Sequence, residues 1–168
     1  MIPIIIAAAA AAVAVKVHLD KKTQEQIRRG REAIKKVLAT KKDVPNAMEH
    51  PALGPIDFIY GRHDSATGRG MGIAHAAGSA RDRLKKYRDG ETAGKILYRA
   101  PEVIMRGRHE QSHKGKLKIT HKEYLVLLKN QLNGRPSNHW VFHAYDDNPR
   151  KKEDAVGKHG ERKHRKRR

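Results

Sequence analysis

The chain has 168 residues, with 37 Lys+Arg against 18 Asp+Glu and 11 His, for a formal charge of +19. That length holds one domain of ordinary size plus extensions. A hydrophobic content of 38%, of which aromatics make 5%, limits the core to a modest aliphatic one. Cysteine is absent, which excludes disulfides, thiol catalysis and Cys-ligated zinc or iron–sulfur centres. A charge this large repels itself unless an anion is near. Nucleic acid is the first partner expected, through counterion release, and an anionic membrane surface the second. A generic basic protein of a ribosome or virion is the plainer alternative.

Residues 1–19 are apolar and Ala-rich, with no charged side chain before Lys16. A spanning helix needs roughly 20 such residues, and a secretory signal needs a positive charge ahead of the apolar run. Three readings stay open: a membrane-associated or oligomer-forming helix, a signal peptide, or a helix buried against another protein. Residues 2–17 are therefore the expected contact with a membrane, with other virion proteins or with a second copy of the chain. If this segment spans, the Lys and Arg that follow keep the remainder cytoplasmic.

Residues 20–45 predict a basic helical arm. Ile27, Ile34, Val37 and Leu38 make one narrow helical stripe, and Gly30 weakens its middle by about 1 kcal/mol. So thin a stripe suits a connector or coiled-coil-like arm better than a core helix. Asp43-Val44-Pro45-Asn46 ends it.

Residues 46–148 carry the density needed to fold. Pro55 to Tyr60 alternates as a strand, and Arg62 to Met71 reads as a glycine-rich loop. Ile73 to Arg88 predicts a basic helix, and Glu91 to Met105 a second one, interrupted or kinked at Ala100-Pro101. Lys116 to Thr120, Tyr124 to Lys129 and His139 to Tyr145 are strands, with a turn at Asn133-Gly134. The fold class expected is α+β: a small antiparallel meander sheet with two preceding helices packed on one face, plus the long N-terminal helix. Residues 149–168 form a basic tail with almost no apolar side chain, expected to be disordered alone. Its Arg162, Lys163, Arg165, Lys166, Arg167 and Arg168 would add sequence-independent affinity for nucleic acid.

Candidate chemistry rests on histidine. His75 lies among Gly and Ala at the start of a helix, where small neighbours admit a substrate backbone, with Arg81 and Arg83 following for phosphates. A packed or capping histidine explains the same pattern equally well. Strand alternation puts His139, Val141, His143 and Tyr145 on one face and Trp140, Phe142 and Ala144 on the other, the Trp/Phe face being the expected core. Two histidines could divide the work of cleaving RNA, one taking the 2′-OH proton and the other protonating the departing 5′-oxygen. Arg would stabilise the phosphorane-like charge. His109 and His113 stand at i, i+4, but in a polar loop, and His63 and Asp64 would meet a metal only by chance. No HExxH pattern occurs. No metal and no cofactor are expected.

Four motifs in order carry a resemblance. They are Gly54-Pro55-Ile56-Asp57-Phe58-Ile59-Tyr60-Gly61, Gly70-Met71-Gly72-Ile73-Ala74-His75, Ala100-Pro101-Glu102-Val103-Ile104-Met105-Arg106-Gly107 and His139-Trp140-Val141-Phe142-His143-Ala144-Tyr145. Over about residues 53–147 the chain resembles the barnase–EndoU–colicin–RelE-like nucleases of phage polyvalent proteins and bacterial toxins. The resemblance implies a metal-independent ribonuclease fold, with helices before a four-stranded antiparallel sheet, and puts the family histidine on His75. The closing strand usually offers a hydroxyl residue where this chain has His143, and His139 stands inserted between Asn138 and Trp140. On this reading His75 is general base or acid, His143 its partner and Tyr145 a positioning donor, with Arg81, Arg83 and Arg106 on phosphates. The alternative is a non-catalytic virion or injection protein that holds packaged nucleic acid by its tail. Either places the chain in a phage virion or the host cytoplasm, or at the inner membrane. The two readings part on whether His75 and His143 converge.

Overall fold

A computed structural model describes the backbone of residues 3–87, 93–112 and 115–146, and within these the side chains of residues 19–82, 94–111 and 115–146. The basic tail and the side chains of residues 3–18 lie outside the described residues. Helix α1 runs Pro3–Thr40 as one element. Among the described residues no helix is long and apolar enough to cross a membrane.

The second half of α1 belongs to the domain and is not an arm beside it. Ile27, Gly30, Ile34 and Val37 recur every three or four residues and are buried, and Ala33 joins them. Leu38, expected in that stripe, is 41% exposed. Gly30 is a seat for the next helix layer. A Cβ there would stand 2.9 Å from the Pro101 ring and 3.1 Å from Met48 Sδ. The guanidinium of Arg31 lies 4.1 Å over the Tyr98 ring and meets Glu102 at 3.4 Å, which clamps α1 to helix α3, Ala93–Arg106. Pro101 does not end α3, which runs through it. The lost intrahelical bond, about 3 kcal/mol in an unsupported helix, is set against burial of Pro101 on Gly30.

Among the described residues eight strands follow α1 in chain order: β1 Val44–His50, β2 Gly54–Phe58, β3 Arg62–Asp64, β4 Arg69–Met71, β5 Arg108–Ser112, β6 Lys116–His121, β7 Tyr124–Leu132 and β8 Arg135–Asp146. Helix α2, Gly72–Tyr87, comes between β4 and α3. The main sheet has the order β1-β2-β8-β7-β6-β5. The expected three-strand meander is β6 to β8, and β5 extends it, each pair antiparallel. The β1–β2 hairpin adds to it through the one parallel pairing, β2 with β8.

Three segments differ from the sequence expectation. Val44–His50 is a strand, because its Met48 and Ala47 find core partners that local pattern cannot reveal. Arg62 to Met71 is a two-stranded hairpin, β3 with β4, and no open loop. The polar stretch after Gly107 is the edge strand β5, held by backbone pairing to β6.

One core cluster joins α1, α2 and α3 to the sheet, through residues such as Val37, Phe58, Ala77, Leu97, Ile119 and Val141. Trp140 and Ala144 are buried as expected, but a bulge takes Phe142 off that face. Leu128 pairs with Val141 and Leu127 with His143, so Phe142 is an extra residue in β8. Val141 and Ala144 thereby both enter the core, while Phe142 is half-buried under the ammonium groups of Lys116 and Lys129, 4.3 and 4.6 Å from its ring. The sheet is strongly curled. A flat sheet of six strands spans about 24 Å, yet His50 on one edge strand and His109 on the other have ring centroids 4.9 Å apart.

Candidate active site

The site forms where the parallel strands part. The β2–β8 pairing ends at Asp57 and Trp140, while β8 continues to Asp146. The chain leaves β2, folds back as the β3–β4 hairpin and enters α2. The return is tight enough to demand glycine twice. Gly61 and Gly72 both have positive φ, 69° and 77°, and a Cβ on Gly61 would run into the Met71 carbonyl. The N–H groups of Ile73 and Ala74 donate to the Ile59 and Tyr60 carbonyls at 2.9 and 2.8 Å, so α2 starts anchored on the end of β2.

This geometry stacks rings from three elements. His63 of β3, His75 of α2 and His143 of β8 follow one another with centroids 5.3 and 4.7 Å apart, and Tyr145 lies 5.1 Å beyond His143. Two glycines make the room. A Cβ on Gly70 would stand 2.7 Å from His75 Nδ1, and one on Gly78 would collide with the His63 ring.

The rings are also joined by hydrogen bonds. His63 Nδ1 and His75 Nδ1 are 3.0 Å apart, and His63 Nε2 meets the Asp82 carboxylate at 2.8 Å. Asp82 can only accept when ionised, so it fixes a proton on His63 Nε2. The two Nδ1 atoms then share one proton: neutral His75 donates to His63, or charged His63 donates to His75. Ser79 Oγ stands 3.4 Å from the same His75 nitrogen. Burial first, and then the neighbouring His63, hold the His75 pKa below the ordinary imidazole value. His75 is 8% exposed, and His143 Nδ1 is closed to solvent.

Access comes from the side of His63. Two open clefts, of about 510 and 520 Å³, flank β3, and Arg62 and His63 line both. The first also takes in Tyr60, Arg81 and Asp82, and the second Arg69 and Phe142. An anion between them meets guanidinium groups and one imidazole whose far nitrogen is already committed to a carboxylate.

The structure brings His75, His143 and Tyr145 together and puts Arg81 on a cleft wall, its Nε donating to the Ala77 carbonyl at 3.3 Å. Arg106 is exposed at the end of α3, next to the Gly107 that packs on Ile119 and Thr120 of β6, and it lines neither cleft. The Arg83 side chain, His113 and the tail residues Arg162 to Arg168 lie outside the described residues. Sequence reasoning passed over His63, Arg62 and Asp82. The signal was there in part: Arg62-His63-Asp64 is set between glycines just ahead of the His75 helix. A second histidine group, His50 with His109 and His139, lies along the sheet margin. Burial chiefly, then His109 and His139, hold His50 below its ordinary pKa. Among the described residues no group of three or more side chains is arranged to hold a metal ion.

A family model described as phage-Barnase-EndoU-ColicinE5/D-RelE like nuclease1 matches residues 47–151. No curated protein and no solved structure matches the chain.

Proposed function

The chain belongs to the phage-Barnase-EndoU-ColicinE5/D-RelE like nuclease1 family, and on that premise we propose that it is a metal-independent endoribonuclease whose histidine cluster performs acid–base catalysis. The observation that carries the reading is the contact of three imidazoles, His63, His75 and His143, from three separate elements beside two cationic clefts.

The 2′-oxygen of RNA attacks the adjacent phosphorus, the bond from phosphorus to the 5′-oxygen breaks, and a 2′,3′-cyclic phosphate remains. The proton leaving the 2′-OH needs a neutral imidazole, and the departing 5′-oxygen needs a protonated one. His75, held neutral by burial beside His63, suits the first task. His143 is its partner, and Tyr145 positions it. His75 takes the 2′-OH proton on Nε2 as its own Nδ1 proton passes to His63 Nδ1, and Asp82 balances the charge that His63 then carries. Arg62 and Arg81 stabilise the added negative charge on the phosphate. Arg83, one turn along α2 from Ser79, is a further candidate for phosphate contact, whereas Arg106 lines neither cleft.

The test is cleavage of total RNA in EDTA by the full chain, wild type beside His75→Ala, with the ends mapped. Cleavage that leaves 2′,3′-cyclic phosphates and is lost in the variant supports the reading. Full activity in His75→Ala, or cleavage only with added metal, overturns it.

A further inference from the structure

We propose that the cleft containing Phe142 is a nucleobase subsite, in which one unpaired base of single-stranded RNA stacks on the Phe142 ring. The proposal rests on the ribonuclease reading and names the form of substrate which that site takes.

Three observations converge on it. Phe142 is the bulged residue of β8, so its ring escapes the core, leaves the alternation of the strand and becomes part of the cleft wall. Bulges commonly re-aim a side chain beside a site in this way. The ring is also set among cations. Lys116 and Lys129 lie 4.3 and 4.6 Å from its centroid, and Arg62 and Arg69 line the same cleft. Finally, the cleft shares His63 with its neighbour on the far side of β3. A strand crossing β3 would therefore place one nucleotide in each cleft and the intervening phosphate at Arg62 and His63.

The ligand class follows from this chemistry. The two lysine ammonium groups stand over the ring, so a base that stacks there displaces them onto its flanking phosphates. An aromatic ring among such cations fits a flat base with an anionic linker on either side, the arrangement used to hold single strands. A purely anionic ligand has no use for the ring, and an apolar one would strand the cations. Bases in a duplex are already stacked on both faces and cannot reach Phe142. Asp64, the one acidic side chain lining this cleft, has its oxygens engaged in the hairpin turn, by Ala66 N at 2.9 Å and by Thr67. At about 520 Å³ the cleft has the size of small-ligand sites in general.

The test uses the full chain and a 2′-O-methyl oligouridine hexamer, which lacks the attacking hydroxyl and is bound without being cut. Trp140 is the only tryptophan, and its ring lies 5.8 Å from Phe142, so its fluorescence reports occupancy. A hexamer of equal charge with abasic sugars is the comparison. Stacking is expected to make the intact hexamer bind about 5- to 150-fold tighter than the abasic one. Phe142→Leu, which keeps apolar volume without a ring, should erase that difference, and Phe142→Tyr should keep it. Equal affinity of the two hexamers for the wild-type chain overturns the proposal, as does a base preference that survives in Phe142→Leu. Cleavage of unmodified RNA together with equal binding of the intact and abasic hexamers would sink the subsite and leave the ribonuclease standing. Base-dependent binding without cleavage of unmodified RNA would sink the ribonuclease and leave the subsite.

Discussion

The Nδ1 atoms of His63 and His75 lie 3.0 Å apart, while His63 Nε2 rests 2.8 Å from the Asp82 carboxylate. Both nitrogens of His63 are thus committed, and the proton between the two rings belongs to the pair. The arrangement couples a cleft-lining imidazole to a buried one. A charge gained at His63 is answered by Asp82, and the same charge disfavours a second proton on His75.

Asp82→Asn removes that answering charge while leaving an oxygen to accept from Nε2. The positive charge that His63 takes on when His75 passes it a proton then has no carboxylate beside it. On the ribonuclease reading kcat falls by roughly 100-fold, the low end for an acid–base group, with KM little changed. Asp82→Glu should restore part of the rate. A kcat equal to wild type in Asp82→Asn would show that Asp82 serves packing alone.

Buried histidines also make the fold sensitive to acid. His75 and His50 both titrate below their ordinary value, chiefly because they are buried. The unfolded chain, with imidazole pKa values of about 6.5, therefore binds more protons than the folded one as pH falls through that region. Stability is full above about pH 6.5 and declines below it, through the folded pKa values. Thermal melts from pH 7.5 to 5 should show a falling Tm. The slope should lessen in His50→Gln, which keeps a side-chain oxygen to accept from the Ala52 and Leu53 N–H groups. A Tm independent of pH over that range would contradict the assignment of both burials.

Ile34→Ala tests the place of α1. Ile34 is 5% exposed and packs in the same cluster as Phe58 and Val103. Truncation should cost about 2–5 kcal/mol if the helix is integral to the core, and close to nothing if it is an appended arm. Urea unfolding with an unchanged m-value reads the difference. A fragment beginning at residue 44 would leave Met48 and Pro101 uncovered and is expected not to fold.

Local pattern carried the parts of this molecule that depend on local physics. The two domain helices and three of the meander strands were readable from periodicity, turn residues and motif order, while the approach of His75 to His143 stood open until the fold was known. What escaped depends on partners distant in sequence. Val44–His50 has little strand pattern of its own and pairs because β2 is there to receive it. Leu38 and Ile34 look alike in the sequence, and only the position of α3 decides which is buried. The bulge at Phe142 reverses the strand faces by one residue, so strict alternation put Val141 outside and Phe142 inside. His63 joins the site through a hairpin that brings residues 12 and 19 positions apart, His75 and Asp82, onto its two nitrogens. No spacing rule for helices or strands encodes that.

Gly78 offers the sharpest separation of fold from function. It lies within α2, where alanine is favoured by about 1 kcal/mol over glycine, so Gly78→Ala should support the helix. Its new methyl, however, would occupy the position of the His63 ring. That ring is held by Asp82 and His75 and must swing away from both. The expected outcome is a Tm near or above wild type once the ring has moved, together with loss of RNA cleavage. In a His63→Ala background the obstruction is gone, so Gly78→Ala should then raise Tm by its full helical benefit. A Gly78→Ala variant that cuts RNA at the wild-type rate would mean that the position of His63 against α2 is not required by the reaction.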